Sequence, residues 1–320
     1  MPVLDMPVAQ LKQYMGTNPI PADFDDYWKR GLDEVYSTPV NTQITPADLN
    51  SRSCDVYDLY FDSVKGARIY AKYIRRKDLT EKAPVVLLFH GYSGSSGDYF
   101  DKIAYASEGY IVLAMDCRGQ GGRSRDSVSI EGTTHGGQII RGVDDPDPDK
   151  LYFRNVYLDT VQLMRVAKTL PLCDPDKIYA AGGSQGGGLT VACAALCGND
   201  IKKAAPTFPF LSDYKRVFEM DLLKDAYGEL TYYIKLFAYT EEMQVKFWQR
   251  LGYIDIQHLA GRITAATLWG TGLLDSVCPP STQFAAYNKI SADKEMIIYT
   301  NHGHEWLPGF GDKTLSFFNG

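Results

Sequence analysis

Histidine is scarce in this chain: there are five in 320 residues, His90, His135, His258, His302 and His304. Any imidazole chemistry must come from one of them. A basic excess is also missing. Lys plus Arg number 33 against 39 Asp plus Glu, a formal net charge of −6, so a polyanionic partner such as nucleic acid is not expected. No apolar run is long enough to span a bilayer, and no membrane partner is expected. The first residues, Met1-Pro2-Val3-Leu4-Asp5-Met6, offer neither a cationic n-region nor an apolar h-region, so no signal peptide is expected and the chain reads as cytoplasmic. C-x-x-C spacing is absent. The six cysteines, Cys54, Cys117, Cys173, Cys193, Cys197 and Cys278, are scattered and several lie in apolar segments, which points to free buried thiols. Cys193 and Cys197 are one helical turn apart, but no histidine stands near them in sequence, so core packing is the reading rather than a metal pair. Neither G-x-G-x-x-G with a downstream acidic partner nor G-K-[ST] occurs. No metal and no organic cofactor is expected.

What is present is ample apolar material, 45% of residues against 22% charged, enough for one large core. An N-terminal helical region begins at Phe24 with an Asp-rich first turn, Phe24-Asp25-Asp26-Tyr27-Trp28. Cys54 to Val64 and Arg68 to Arg76 alternate as an antiparallel edge pair would. The rhythm then becomes βαβ. Val85 to Phe89 and Tyr110 to Met115 are continuous apolar runs, as in strands covered on both faces. A helix is predicted from Val156 to Thr169, with strands at Asp176 to Ala181, Ile263 to Trp269 and Glu295 to Tyr299, and a C-terminal helix includes Lys313 to Phe318. This alternation predicts an α/β fold with a mostly parallel sheet flanked by helices. The whole chain, 1–320, reads as a single domain with a helical N-terminal extension over 1–50. About 208–262, helical patterns at Tyr227 to Phe237 and Met243 to Leu251 replace strands, which suggests an inserted helical cap. A long loop from Gly119 to Asp149 has no periodicity. Its run Asp144-Asp145-Pro146-Asp147-Pro148-Asp149 lacks the glycine and terminal glutamate of an EF-hand loop and reads as a solvated acidic turn.

The most informative stretch is Ala180-Ala181-Gly182-Gly183-Ser184-Gln185-Gly186-Gly187-Gly188-Leu189. A strand precedes it and a small-residue helix follows from Leu189 to Leu196. G-x-S-x-G in a strand–turn–helix context is the nucleophile-elbow pattern. A serine at the apex of so sharp a turn takes a strained backbone, and strand and helix pass too close for side chains on either side. The turn also aims the first helical N–H groups at bound negative charge. A serine alcohol needs a base, and the base needs an orienting group. With this elbow the chain order is Ser, then Asp or Glu, then His. His302 and His304 both follow the last strand and both qualify. His258, in the helical insert, reads as a packing or surface residue, and His135 as an exposed loop residue. Asp275 stands just past the Ile263–Trp269 strand, followed by Pro279 and Pro280 that stiffen its exit. The oxyanion donors are expected to be the backbone N–H groups of Gln185 and of Tyr92, in the loop His90-Gly91-Tyr92-Ser93-Gly94. His90 reads as closing that turn.

Three motifs in order, Arg118-Gly119-Gln120, Gly182-Gly183-Ser184-Gln185-Gly186 and His304-Glu305, resemble the signature of the acetyl xylan esterase/cephalosporin C deacetylase family, carbohydrate esterase family seven of the α/β-hydrolases. The similarity extends through Arg141-Gly142, Tyr152 to Tyr157 and Pro209-Phe210-Leu211, over nearly the whole chain. Asp144–Asp149 and Asn301-His302-Gly303 are not matched to the family pattern. The resemblance selects His304 over His302 as the base, with Ser184 as nucleophile, Asp275 as the acid, and the backbones of Tyr92 and Gln185 as oxyanion donors. It implies a serine esterase removing acetyl groups from acetylated (xylo-)oligosaccharides and related small esters, tolerance of acetylated cephalosporins, and a hexamer. Arg118, Gly119, Gln120 and Glu305 read as architectural, Arg118 bracing the elbow through carbonyls or acids. The rival readings are a peptidase or longer-chain carboxylesterase on the same scaffold, and a non-catalytic binding protein retaining it.

Overall fold

The computed structural model describes residues 4–132 and 137–320. Helices Val8–Leu11 (α1) and Phe24–Ser37 (α2) precede three antiparallel strands, Gln43–Pro46 (β1), Cys54–Asp62 (β2) and Arg68–Arg76 (β3). Then come Ala83–Phe89 (β4), Ile103–Ser107 (α3), Ile111–Met115 (β5), Tyr152–Thr169 (α4), Cys173–Gly183 (β6), Gln185–Cys197 (α5) and Lys203–Thr207 (β7). Four helices follow without a strand between them: Tyr214–Glu219 (α6), Gly228–Phe237 (α7), Glu241–Gly252 (α8) and Ile256–Leu259 (α9). Ala266–Gly272 (β8), Pro280–Tyr287 (α10), Lys294–Tyr299 (β9) and Phe310–Asn319 (α11) complete the chain. The sheet order is β1-β2-β3-β5-β4-β6-β7-β8-β9. All neighbours from β5 to β9 pair in parallel, and β3 joins antiparallel to β5. This is the expected mostly parallel α/β architecture of the α/β-hydrolases.

Both faces of the sheet are covered, which explains the uninterrupted apolar strands. Along β4, Val85 and Leu87 pack with α4 and α5, while Val86 packs with α3 and Phe318 of α11. Every residue of α5 is buried, so only its small side chains allow it to lie so close to the sheet. α2 turns Phe24, Tyr27, Trp28, Gly31 and Val35 inward, and the Trp28 indole donates to the Tyr253 carbonyl at 3.1 Å.

Four details differ from the sequence reading. β8 starts at Ala266 because Ile263 closes a preceding turn onto Ala260. β7, Lys-Ala-Ala-Pro-Thr, carries little intrinsic strand preference and is defined by pairing with β6 and β8. Pro280 does not merely stiffen a loop: it is the first residue of α10, where its missing N–H costs nothing. The acidic run is not a solvated turn throughout. Asp145 is buried and accepts from the Glu131 and Asp147 N–H groups and from Lys150 Nζ, while Asp149 pairs with Arg154. All six cysteines are free and buried as expected, with Cys193 and Cys197 packed at 3.9 Å within α5.

Two buried charge groups hold the peripheral segments. The Arg118 guanidinium, fully enclosed after β5, grips Asp159 of α4 through two bonds of 2.6 and 2.7 Å. Asp159 also accepts from Ser63 Oγ at 2.5 Å. In the second group, Asp213 accepts from the Thr17 and Asn18 N–H groups and from the Tyr14 hydroxyl, tying the N-terminal segment to α6. The Asp213 N–H in turn donates to Asp255, which burial and the Asp213 charge push up to about 7.

Asp159→Asn keeps the side-chain shape but removes the nearer of the two carboxylates on a buried guanidinium, leaving only Asp126 at 3.7 Å, so urea unfolding should show a loss of about 3 kcal/mol. Asp255 holds its proton more tightly folded than unfolded. Stability should therefore be greatest in the ordinary carboxylate range and fall as pH rises through about 7. Thermal unfolding followed from about pH 5 to about pH 8 should show that slope, and Asp255→Asn should flatten it.

Candidate active site

The site lies where the parallel strands end, at the carboxyl side of β4, β6 and β8. β6 turns into α5 through Ser184, whose φ of 57° and ψ of −121° no ordinary helix or strand residue adopts. The neighbouring glycines are required by contact rather than by dihedral. A Cβ on Gly186 would lie 2.1 Å from the Phe89 carbonyl oxygen, and one on Gly182 would lie 2.6 Å from the Gly186 carbonyl. The serine backbone is pinned on both sides: its N–H donates to Thr207 O at 3.0 Å and its carbonyl accepts from Phe210 N–H at 2.9 Å.

Ser184 Oγ lies 3.0 Å from His304 Nε2, and His304 Nδ1 lies 2.9 Å from Asp275 Oδ2. Asp275 is fully buried on the loop after β8, and its Oδ1 accepts from the Val277 and Cys278 N–H groups at 2.9 and 2.7 Å. The carboxylate is thus aimed by its own loop before the imidazole arrives. The histidine loop is zipped to the aspartate loop by Leu274 N–H donating to the His302 carbonyl at 2.9 Å. His302 therefore contributes its backbone, and its ring turns toward Tyr299, while the His304 ring reaches the serine. The Phe208 ring packs against the His304 imidazole, with centroids 4.6 Å apart. Glu305 caps the same loop by accepting from Gly303 N–H at 2.9 Å.

Tyr92 follows β4 and Gln185 opens α5, at the ends of adjacent strands paired Phe89 to Gly182. Among the described residues neither backbone N–H has an acceptor. The Gln185 side chain is anchored beneath them. It exchanges hydrogen bonds of 2.8 and 3.1 Å with the Gln120 amide, and its Nε2 reaches the His90 and Gly91 carbonyls at 3.4 Å. Gly119, at φ 63°, reverses the chain so that Arg118 points into the core and Gln120 points back to Gln185. The first motif therefore acts in two directions, and its arginine grips α4 rather than the elbow itself. The Tyr152 hydroxyl, donating to the Arg118 carbonyl, supports the turn.

His90 closes the β4 loop: Nδ1–H donates to the Gly91 carbonyl at 2.7 Å and Nε2 accepts from Cys117 N–H at 3.0 Å. That arrangement requires the neutral ring, and burial pushes its pKa down in the same direction. His258 packs edge-on against Phe24, its pKa lowered by burial to about 4. His135 lies outside the described residues. Among the described residues, Asp275, Cys278 and His304 are the one group whose ligand atoms approach closely enough to share a metal ion, within 4.8 Å. Both Asp275 oxygens are already engaged by N–H donors and the imidazole. Four contacts were not anticipated from sequence: Asp159 on Arg118, Gln120 on Gln185, Glu229 on Tyr92, and Cys278 beside the aspartate. The first three pair distant segments, so no local pattern announces the partner; the fourth is a turn contact within the Asp275 loop.

The sequence model of the acetyl xylan esterase family (AXE1) matches residues 1–320. The structure superposes on that of acetyl xylan esterase 1 from Thermoanaerobacterium sp. JW/SL YS485 with a TM-score of 0.96 and 47% identity, covering 98% of both chains. It superposes on the acetyl xylan esterase from Paenibacillus sp. R4 with a TM-score of 0.93 and 32% identity, over 98% of this chain and 99% of that one. Acetyl esterase Axe7A of Xylanibacter ruminicola is 30% identical over 292 residues, 89% of this chain, which spans 63% of that protein's length. On the full-length match and the elbow, acid and histidine loops just described, the chain belongs to the acetyl xylan esterase family.

Proposed function

We propose that the protein is a serine carboxylic ester hydrolase that removes acetyl groups from acetylated (xylo-)oligosaccharides and related small esters, including cephalosporin C. The observation that carries this reading is the unbroken hydrogen-bonded line from Ser184 Oγ through the His304 imidazole to the buried Asp275 carboxylate. In the first half-reaction Ser184 Oγ attacks the ester carbonyl carbon while His304 Nε2 takes the hydroxyl proton. The carbonyl oxygen becomes an oxyanion, received by the Tyr92 and Gln185 N–H groups. His304 passes its proton to the departing sugar oxygen as the C–O bond breaks, leaving acetyl-Ser184. Water, deprotonated by His304, then attacks that ester, and acetate leaves with Ser184 restored. Asp275 holds the imidazole in the tautomer that presents a lone pair to the serine. Substrate is bound and converted by this chain's own side chains and backbone.

The same reading treats residues 1–320 as one catalytic domain, with an N-terminal extension over 1–50 and the helices of 208–262 as a cap beside the strand ends. The same proposal includes a homo-oligomer, a hexamer by family likeness, acting in the cytoplasm without nucleic-acid or membrane partners; the acidic composition supports the absence of a nucleic-acid partner. Among the described residues no helix is long and apolar enough to cross a membrane.

Ser184→Ala and His304→Ala should each lower kcat on the order of 10⁶-fold in steady-state assays, since such residues act as a unit. In a panel of p-nitrophenyl acetate, p-nitrophenyl octanoate and a peptide anilide, the acetate should be preferred. Acetylated xylo-oligosaccharides, glucose pentaacetate and cephalosporin C should all release acetate. Preference for the octanoate or the anilide would overturn the substrate class.

A further inference from the structure

Glu229, the second residue of α7, is 7% exposed and lies next to the oxyanion loop. Its Oε1 accepts from the Tyr92 hydroxyl and from Gln138 N–H at 3.2 Å, and its Oε2 accepts from Ile140 N–H at 2.9 Å. The Tyr92 hydroxyl accepts in turn from Gln138 N–H at 2.9 Å. The 137–140 backbone folds tightly round this carboxylate: a Cβ on Gly137, at φ 129°, would lie 2.3 Å from Glu229 Oε2. The Tyr92 ring also packs edge-on with Phe210, with centroids 5.3 Å apart, and Phe210 N–H is bonded to the Ser184 carbonyl.

A buried carboxylate held by hydrogen-bond donors in place of a cation is costly to keep. An amide at the same place has one accepting oxygen, and its NH₂ would face donors. The carboxylate alone accepts on both sides at once, and what it secures is the outer end of the Tyr92 side chain. With its hydroxyl tied to Glu229 and its ring packed on Phe210, the Tyr92 side chain restrains its own Cα, so a displacement of the Tyr92 main chain would strain that anchor.

We propose that Glu229 is a positioning residue for ester hydrolysis: by fixing the Tyr92 ring it holds the Tyr92 N–H in place for the oxyanion, and it thereby couples the helical segment 208–262 to the reacting centre. The inference rests on the reading of Tyr92 as an oxyanion donor. A donor that is present but loosely aimed loses part of the stabilisation that a missing donor loses entirely, roughly 10²–10³ in kcat.

The test compares Glu229→Gln, Tyr92→Phe and the double variant of the full chain on p-nitrophenyl acetate, with inhibition by a boronic acid that forms a tetrahedral adduct on the serine. Each single variant should lower kcat about tenfold with KM within about twofold, short of the full loss of a donor. The double variant should be no worse than the poorer single one, because both act on kcat through the one Tyr92–Glu229 contact. The boronic acid should weaken in parallel with kcat/KM, which a merely structural defect would not produce. Unchanged kcat in folded Glu229→Gln, independent multiplication of the two effects, or a change confined to KM would overturn the proposal. Should Glu229→Gln not fold, Tyr92→Phe, which deletes only a hydroxyl, decides by the same criteria. Ser184→Ala assayed alongside separates the two readings: its retaining full activity would remove the catalytic mechanism itself, whereas native kcat in Glu229→Gln with an inactive Ser184→Ala would remove the positioning role alone.

Discussion

The carbonyl oxygen of Phe89, at the end of β4, sits where a side chain on Gly186 would have to go, and the rest of the site follows from that contact. Because α5 starts this close to the central strands, its first turn opens directly over the sheet edge. The connecting residue must then pass through a left-handed, strained backbone, and that residue is Ser184. Strain of this kind costs on the order of 1–3 kcal/mol and persists only where the surroundings over-determine it. Here they do: Thr207, Phe210 and Gly188 all bond to the serine main chain. The alcohol is thus presented by a rigid turn, and the loops bearing Asp275 and His304 need only be brought to it.

Around this turn, charge is buried in places where it can be satisfied by one arrangement only. Arg118 and Asp159 join the end of β5 to α4, and Arg154 joins α4 to Glu34 of α2 and to Asp149 of the acidic stretch. Asp213 and Asp255 join the N-terminal segment to the helices after β7. Each group would be expensive to leave unpartnered, so each specifies a register between segments that have no strand pairing with one another. The helical segment and the long loop, which touches the sheet backbone through a bridge from Arg125 to Arg68, are placed by these polar contacts together with aromatic packing such as Tyr233 on Phe247.

Much of the fold was legible before coordinates. The βαβ rhythm, the antiparallel edge at Cys54–Arg76, the helices read at 156–169, 227–237 and 243–251 and the elbow all have local signatures, because strand burial and helix burial impose periods of two and of about 3.6 on the sequence. Elements without such signatures were missed or shifted. β7 has two alanines and a proline, α3 is five residues long, and β8 begins three residues later than its apolar run. Asp145 read as a solvated turn residue because the sequence does not show the chain folding so that Lys150 and the Glu131 N–H close over it.

The sequence by itself determined the chemistry available: one serine in an elbow, few histidines, an acid in the right order, and glycines where strand and helix cross. Local residue types dictate those features, since turn strain and close approach exclude other side chains. Residue order alone left two histidines open and the family resemblance favoured His304; the tertiary structure supplies the physical reason that its ring faces the alcohol. His302 and His304 are two residues apart on one loop, and the choice depends on Leu274 capturing the His302 carbonyl while the His304 ring spans a separation of 120 residues to Ser184. The partners of Arg118, Gln120 and Tyr92 were likewise settled by packing, because contacts between distant segments leave no periodic trace in the chain.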